Sequence, residues 1–157
     1  MKIYFSVVEE THVGNFEGNK QLMTFLQSQG HKLYRAPYVF SEDHRTFLRK
    51  ELKIKRDATY SERRKIHLKW IDNSDLLLAD VSYISEGMLM IVQRALDKPA
   101  MGLNKTPIIL IRDKNKERKF GSLIKGLIEA RQVVYFEYEN INEVIKNWPK
   151  LLKKAKL

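Results

Sequence analysis

The residues best suited to chemistry lie together in one short turn, Ser82-Tyr83-Ile84-Ser85-Glu86-Gly87. The turn follows an apolar run at 76–81 and precedes apolar residues at helical spacing, which predicts a buried strand, a turn and a helix. In open α/β sheets, ligands sit at the carboxyl edge of the strands, and N–H groups at a helix start favour anions such as phosphate. We therefore expect any ligand of this chain to bind at this turn.

Two interpretations remain open for the polar residues of this turn. Ser85 can cap the helix or offer its hydroxyl to a phosphate, and Gly87 permits close approach of the backbone. Glu86 suits the first turn of a helix through the macrodipole, but it could also act as an acid or nucleophile. Asp80 lies at the same end of the predicted strand, whereas Asp75 lies at the opposite end.

The composition narrows the possible chemistry. The 157 residues suit one domain, residues 1–157, and the absence of cysteine excludes disulfides and thiolate metal sites. The four histidines (His12, His31, His44 and His67) lack metal-ligand spacing, so we expect no metal. No G-x-G-x-x-G follows the first predicted strand, and no G-x-x-x-x-G-K-[ST] occurs. We expect no cofactor.

The net charge of +10 leaves nucleic acid open as a partner. The basic residues are dispersed over segments 45–56, 63–69, 114–119 and 150–156, where most alternate with apolar residues as on a solvated helix face. No recognisable nucleic-acid-binding module is present. No apolar run approaches the ~20 residues that span a bilayer, and acidic residues follow too early for a signal peptide. We expect a cytoplasmic protein that does not bind membranes.

The apolar patterns alternate between strands and helices, which predicts an α/β fold with a five-stranded parallel sheet covered on both faces. The predicted strands are 2–8, 31–35, 75–81, 108–112 and 132–137, and the predicted helices are 18–28, 44–53, 57–72, 87–96, 122–130 and 141–156. Ser61 is expected to cap the helix at 57–72 and Asn140 the last helix. Pro37 is expected to break the chain, and Pro149 to kink or divide the last helix.

Four segments, in this order and spacing, resemble the nucleoside 2-deoxyribosyltransferase superfamily, most closely its 2′-deoxynucleoside 5′-phosphate N-hydrolases. They are KIYF at the start, KWIDNSDLLLADVS, the S-x-G of the turn, and QRALDKP. The resemblance implies a flavodoxin-like, Rossmann-type three-layer sandwich that is usually dimeric. It implies cleavage or exchange of the N-glycosidic bond of deoxynucleosides or their monophosphates. It also implies a glutamate that attacks C1′, assisted by a tyrosine and an aspartate.

Several residues match the pattern that this resemblance implies. Tyr4 stands at the position of the tyrosine, Ser85 at that of a phosphate-contacting serine, and Gly87 at the first glycine of a G-x-G-x-E turn. Together with Glu86, these residues form the nucleotide-binding set expected from the sequence.

Other positions depart from that pattern. Ile91 stands where the catalytic glutamate is expected, and His67 where the aspartate is expected. Leu89 replaces the second glycine, and we expect it to fill the space of the sugar. The loop after the first strand reads VVEETHVGN, which is acidic where the resemblance implies a phosphate site.

Displacement of a base needs an oxygen nucleophile or an activated water close to C1′, and isoleucine supplies neither. We therefore expect a pseudoenzyme, a homodimer that binds a nucleoside or nucleotide or acts by interaction. One alternative is an active N-glycosidase or deoxyribosyltransferase that uses a displaced carboxylate (Glu86, Glu9 or Glu10) with Tyr4 as assistant. Glu86 and Ile91 should, however, project to different sides of the helix. The other alternative is a basic adaptor that contacts nucleic acid.

Overall fold

The structure is a computed structural model that describes residues 1–7, 15–41, 43–116 and 121–157. The loop that contains Glu9, Glu10 and His12 lies outside the described residues. The predictions made for that loop, including its role near a phosphate, therefore stay predictions.

The predicted five-stranded parallel sheet is confirmed. Its strands are β1 (Lys2–Ser6), β2 (Lys32–Tyr34), β3 (Leu76–Asp80), β4 (Ile108–Asp113) and β5 (Val134–Tyr138), in the order β2-β1-β3-β4-β5. The central strand β3 is buried along its whole length. A continuous apolar run is the pattern expected of a parallel strand that is covered on both faces.

Seven α-helices occur in the described part of the chain: α1 (Phe16–Ser28), α2 (Ala36–Val39), α3 (His44–Leu52), α4 (Tyr60–Asp72), α5 (Glu86–Asp97), α6 (Ser122–Glu129) and α7 (Ile141–Lys154). Helix α1 packs against α7 and helix α4 against α5, and these two pairs cover opposite faces of the sheet. The fold is the expected three-layer α/β sandwich. None of the described helices combines the length and the apolar character needed to cross a bilayer.

The helix starts confirm two of the predicted caps and correct a third. The Ser85 hydroxyl accepts a hydrogen bond from the Met88 N–H, and the Asn140 side chain caps α7. The prediction that Ser61 caps α4 is wrong. Thr59 is the cap, because Glu62 lies three residues after it and closes a reciprocal capping box with the Thr59 N–H.

Both prolines lie inside helices, so the predictions of a chain break at Pro37 and of two short helices at Pro149 were wrong, whereas the kink at Pro149 stays a prediction. Pro37 lies in the first turn of α2, where its missing N–H costs no intrahelical hydrogen bond. Pro149 lies inside α7, which runs as one helix from Ile141 to Lys154. The buried side chains Val144, Trp148 and Leu151 anchor α7 on both sides of the proline, so tertiary packing offsets the lost hydrogen bond.

One buried lysine holds the start of the segment between α5 and β4 in place. A 3₁₀ helix spans Lys98–Met101, and Lys98 is only 1% exposed. The Lys98 Nζ donates to the carbonyls of Ile71 and Ser74, at 3.2 and 3.1 Å. A cation at the C-terminal end of α4 is favoured by the helix macrodipole. Lys98 therefore attaches the connection between α5 and β4 to the end of α4.

Candidate functional site

A cavity of about 170 Å³ opens beside the carboxyl half of β1. The chain places β2 on one side of β1 and then crosses to place β3 on the other side. This change of direction beside β1 is the switch point at which open α/β sheets bind ligands. The lining residues come from β1, the end of β2, α4 and the start of α5: Tyr4, Ser6, Arg35, Arg64, His67, Leu68, Gly87, Met88, Met90 and Ile91. The cavity is below the ~300 Å³ of sites that enclose a whole drug-sized ligand, so it suits one ring system.

A tyrosine–histidine pair forms the polar part of the cavity wall. The Tyr4 hydroxyl lies 3.1 Å from Nδ1 of His67, and Nη1 of Arg35 lies 3.5 Å from Nε2. A guanidinium group can only donate, so the neutral ring that suits both contacts accepts at Nε2 and donates from Nδ1 to the Tyr4 oxygen. The resemblance implies a tyrosine and an aspartate at these two positions, and the replacement of that aspartate by His67 stays a prediction.

Burial, and then the nearby charge of Arg35, lower the pKa of His67 from 6.5 to about 4. The ring is therefore neutral near pH 7. A general base works best when its pKa lies near the operating pH, so His67 is a weak candidate for activating water.

The lowered pKa predicts how stability depends on pH. Between the unfolded pKa of 6.5 and the native value of about 4, the unfolded chain binds a proton that the native chain does not. Stability is therefore lost as the pH falls through this window. Relative to His67→Asn, we expect the wild type to lose about 2 kcal/mol of unfolding free energy between about pH 7 and pH 4.5 in urea titrations. If the difference in unfolding free energy between wild type and His67→Asn stayed constant across this pH range, the lowered pKa of His67 would be contradicted.

Two arginines give the cavity a positive character. Arg35 directly follows β2 and has a backbone φ of 64°, in the left-handed region that non-glycine residues rarely adopt. Such strain concentrates at functional sites because the surrounding structure must hold it. Arg64 lies three residues before His67 on α4. None of the described lining residues is a carboxylate, so the arginines favour a ligand with anionic or electron-rich oxygen and nitrogen atoms.

The structure brings some of the predicted site residues together and separates others. Tyr4, His67, Gly87 and Ile91 all line the cavity. Ser85 and Glu86 are exposed and do not line it. The hydroxyl of Ser85 caps α5, and Glu86 occupies its first turn.

Leu89 does not fill the cavity, and the prediction that it would is wrong. Gly87 and Ile91 are one helical turn apart and share a face of α5, whereas Leu89 points away from that face. Leu89 lines a separate groove between α5 and α6. Ile91 is 9% exposed and contributes an apolar surface where the resemblance implied a carboxylate.

Asp80, the other carboxylate considered at this sheet edge, belongs to a buried network outside the cavity lining. One oxygen accepts hydrogen bonds from the N–H and hydroxyl of Ser82, and the other accepts from the amide of Asn19 and the hydroxyl of Tyr138. Burial raises the pKa of Asp80. All four partners are donors, so this carboxylate joins α1, β5 and the turn after β3.

Sequence reasoning missed six of the ten lining residues: Ser6, Arg35, Arg64, Leu68, Met88 and Met90. The sequence pattern puts Arg35 at the end of a predicted strand, and a charged residue at the carboxyl end of a parallel strand is a signal for a ligand contact. Arg64 could have been found from its spacing, because residues three apart on a helix share a face with His67. Within the described residues, no three histidine, aspartate or glutamate side chains come together as a metal site.

The comparisons with known proteins support the fold. The CMP N-glycosidase BcmB of Clostridium botulinum has a similar structure, with a TM-score of 0.63 and 19% sequence identity over 96% of this chain and 98% of that chain. The chain matches no family model and no curated protein. The chain therefore shares the α/β fold of this CMP N-glycosidase, and the resemblance read from the sequence is supported at the level of the fold.

Proposed function

We propose that this chain binds a nucleoside or nucleoside monophosphate in the cavity beside Tyr4 without cleaving it. The observation that carries the proposal is the side chain of Ile91 in the cavity wall, together with the absence of a carboxylate among the described lining residues. The fold shared with a CMP N-glycosidase gives the proposal its ligand class.

The properties of the polar groups support binding over catalysis. Attack at C1′ needs a nucleophile or a base-activated water. His67, with its pKa lowered to about 4, is a weak base at neutral pH. Glu86 is exposed at the start of α5, on a different face from Ile91, so it is badly placed to substitute for a glutamate in the cavity.

The cavity combines an apolar body with polar groups at specific points, as binding sites for heterocycles do. Leu68, Met90 and Ile91 supply apolar walls for the faces of a base. The guanidinium groups of Arg35 and Arg64 can donate to carbonyl oxygens and ring nitrogens of the base, or to a phosphate. This donor-rich lining favours ligands that present acceptors, such as cytosine or guanine with their carbonyl groups.

A thermal-shift screen tests the proposal. A ligand at 100 times its dissociation constant adds about 2.7 kcal/mol of stability, which raises Tm by about 5–10 °C for a chain of this size. We expect such a shift with at least one member of a panel of nucleosides and 5′-monophosphates that includes CMP. The absence of a shift with every member would contradict the binding proposal.

The main alternative is an active N-glycosidase or deoxyribosyltransferase with a displaced carboxylate. It predicts release of free base from the same panel, lost in Glu86→Gln if that residue is the nucleophile. Detection of such release would overturn the non-catalytic proposal. The homodimer and the cytoplasmic location stay predictions from the sequence.

A further inference from the structure

Two of the four basic segments in the sequence belong to α3 with the residues that follow it, and to α4, and these two helices pack together. Helices α3 and α4 meet through the rings of Phe47 and Trp70, whose centroids are 6.4 Å apart. From His44 to Asp72 the chain carries ten lysines and arginines against four acidic residues, which is +6 of the total charge of +10. The positive charge is therefore concentrated on one region of the surface.

The acidic residues of this region leave part of its charge uncompensated. Asp57 pairs with Arg45 and Arg49, Glu62 with Arg56, and Asp72 with Arg94. The exposed basic side chains that form no ion pair within the described part of the chain are Lys50, Lys53, Lys55, Arg64, Lys65 and Lys69. A surface of this kind attracts polyanions.

One exposed aromatic side chain lies within this basic region. Tyr60, the first residue of α4, is 87% exposed. The guanidinium of Arg63 lies over its ring, 5.6 Å from the centroid, and a cation over an aromatic face is attractive. Tyr60 thus presents a partly oriented ring to solvent, as in proteins that stack the bases of single strands.

The aromatic ring and the cavity are neighbours along α4. Tyr60 precedes Arg64 by four residues, about 6 Å along the helix axis, and Arg64 and Leu68 line the cavity. A mononucleotide held in the cavity would leave Tyr60 without a role. An extended strand has its next base within reach of that ring.

We propose that the α3–α4 surface, with Tyr60 as a stacking platform, binds single-stranded nucleic acid. A duplex does not fit this arrangement, because its paired bases offer no free face to Tyr60. Entry of a terminal base into the cavity rests in addition on the proposed function. The strand is held by phosphate contacts to the basic side chains and by stacking on one aromatic ring.

Fluorescence anisotropy with labelled single-stranded DNA and RNA oligonucleotides tests this surface. Loss of one stacked base on Tyr60→Ala should weaken binding by about 5- to 100-fold. The double change Lys65→Gln with Lys69→Gln should weaken it as well, and should reduce the slope of log affinity against log salt by about 1.4. The matched control is Lys150→Gln with Lys153→Gln on α7, which lowers the net charge equally and should leave affinity nearly unchanged.

The possible results separate this inference from the proposed function. Oligonucleotide binding that depends on Tyr60, without binding of any mononucleotide, would support the surface and overturn the cavity as a nucleotide site. Mononucleotide binding without any oligonucleotide binding would support the cavity and overturn the surface. The surface is also overturned if Tyr60→Ala has no effect, or if the α7 control weakens binding as much as the α4 pair.

Discussion

Replacing Gly87 by phenylalanine will lower the affinity for the nucleotide by about 100-fold, equivalent to about 2.7 kcal/mol of binding free energy. Gly87 lines the cavity in the first turn of α5, and a Cβ atom there would meet only the Ser85 hydroxyl, at 3.9 Å. The backbone therefore accepts a side chain, and the added ring occupies space that the ligand needs. Isothermal titration with the nucleotide that gives the largest thermal shift measures the loss.

The matched control is Gly126→Phe. Gly126 also lies within a helix, α6, and a Cβ atom there meets nothing within 4 Å. Both substitutions replace a helical glycine, so each should change stability by less than about 1 kcal/mol through helix propensity. Only the change at Gly87 should affect binding. Equal affinities for Gly87→Phe and the wild type would place the ligand elsewhere on the molecule.

Removing the Asp80 carboxylate should lower the free energy of unfolding more than any other substitution considered for this chain. Asp80→Ala leaves buried donors on Asn19, Ser82 and Tyr138 without an acceptor, and each unsatisfied group costs about 1–3 kcal/mol. Some of these donors can find other partners, so we expect a total loss of about 3–5 kcal/mol in urea unfolding.

Asp80→Asn is the informative control for that prediction. It keeps one oxygen for Ser82, and its new amide nitrogen can donate to the Asn19 side-chain oxygen once that amide turns over. The Asn19 oxygen is buried and has no hydrogen-bond partner among the residues that the structure describes. We expect a loss of only about 1 kcal/mol. Equal losses for the two variants would show that the hydrogen bonds of this network contribute little to stability.

The sequence predicted the order and type of the strands because apolar patterning is a strong signal in a doubly covered parallel sheet. The run at 76–79 is fully buried as β3, as its composition required. The errors arose where local signals compete. Thr59 and Ser61 are both possible caps, and the spacing to Glu62 decides between them. Pro149 breaks a helix by itself, but the packing of α7 overrides that preference.

The candidate site was predicted only in part, because it depends on contacts distant in the sequence. Tyr4 and His67 are 63 residues apart and meet through the packing of α4 beside β1. Arg35 lines the cavity and has a left-handed backbone conformation, which no local sequence pattern predicts. The motif alone puts Leu89 in the cavity, but the helical phase relative to Gly87 and Ile91 points it to another face of α5.

The cavity is proposed to bind a nucleotide and to leave its glycosidic bond intact. Equilibrium dialysis against CMP, followed by chromatographic quantification of CMP and free cytosine on both sides of the membrane, tests binding and cleavage in one measurement. We expect CMP to accumulate on the protein side of the membrane, to be recovered intact, and not to be retained by Gly87→Phe. Free cytosine that increases with the concentration of wild-type protein would contradict it.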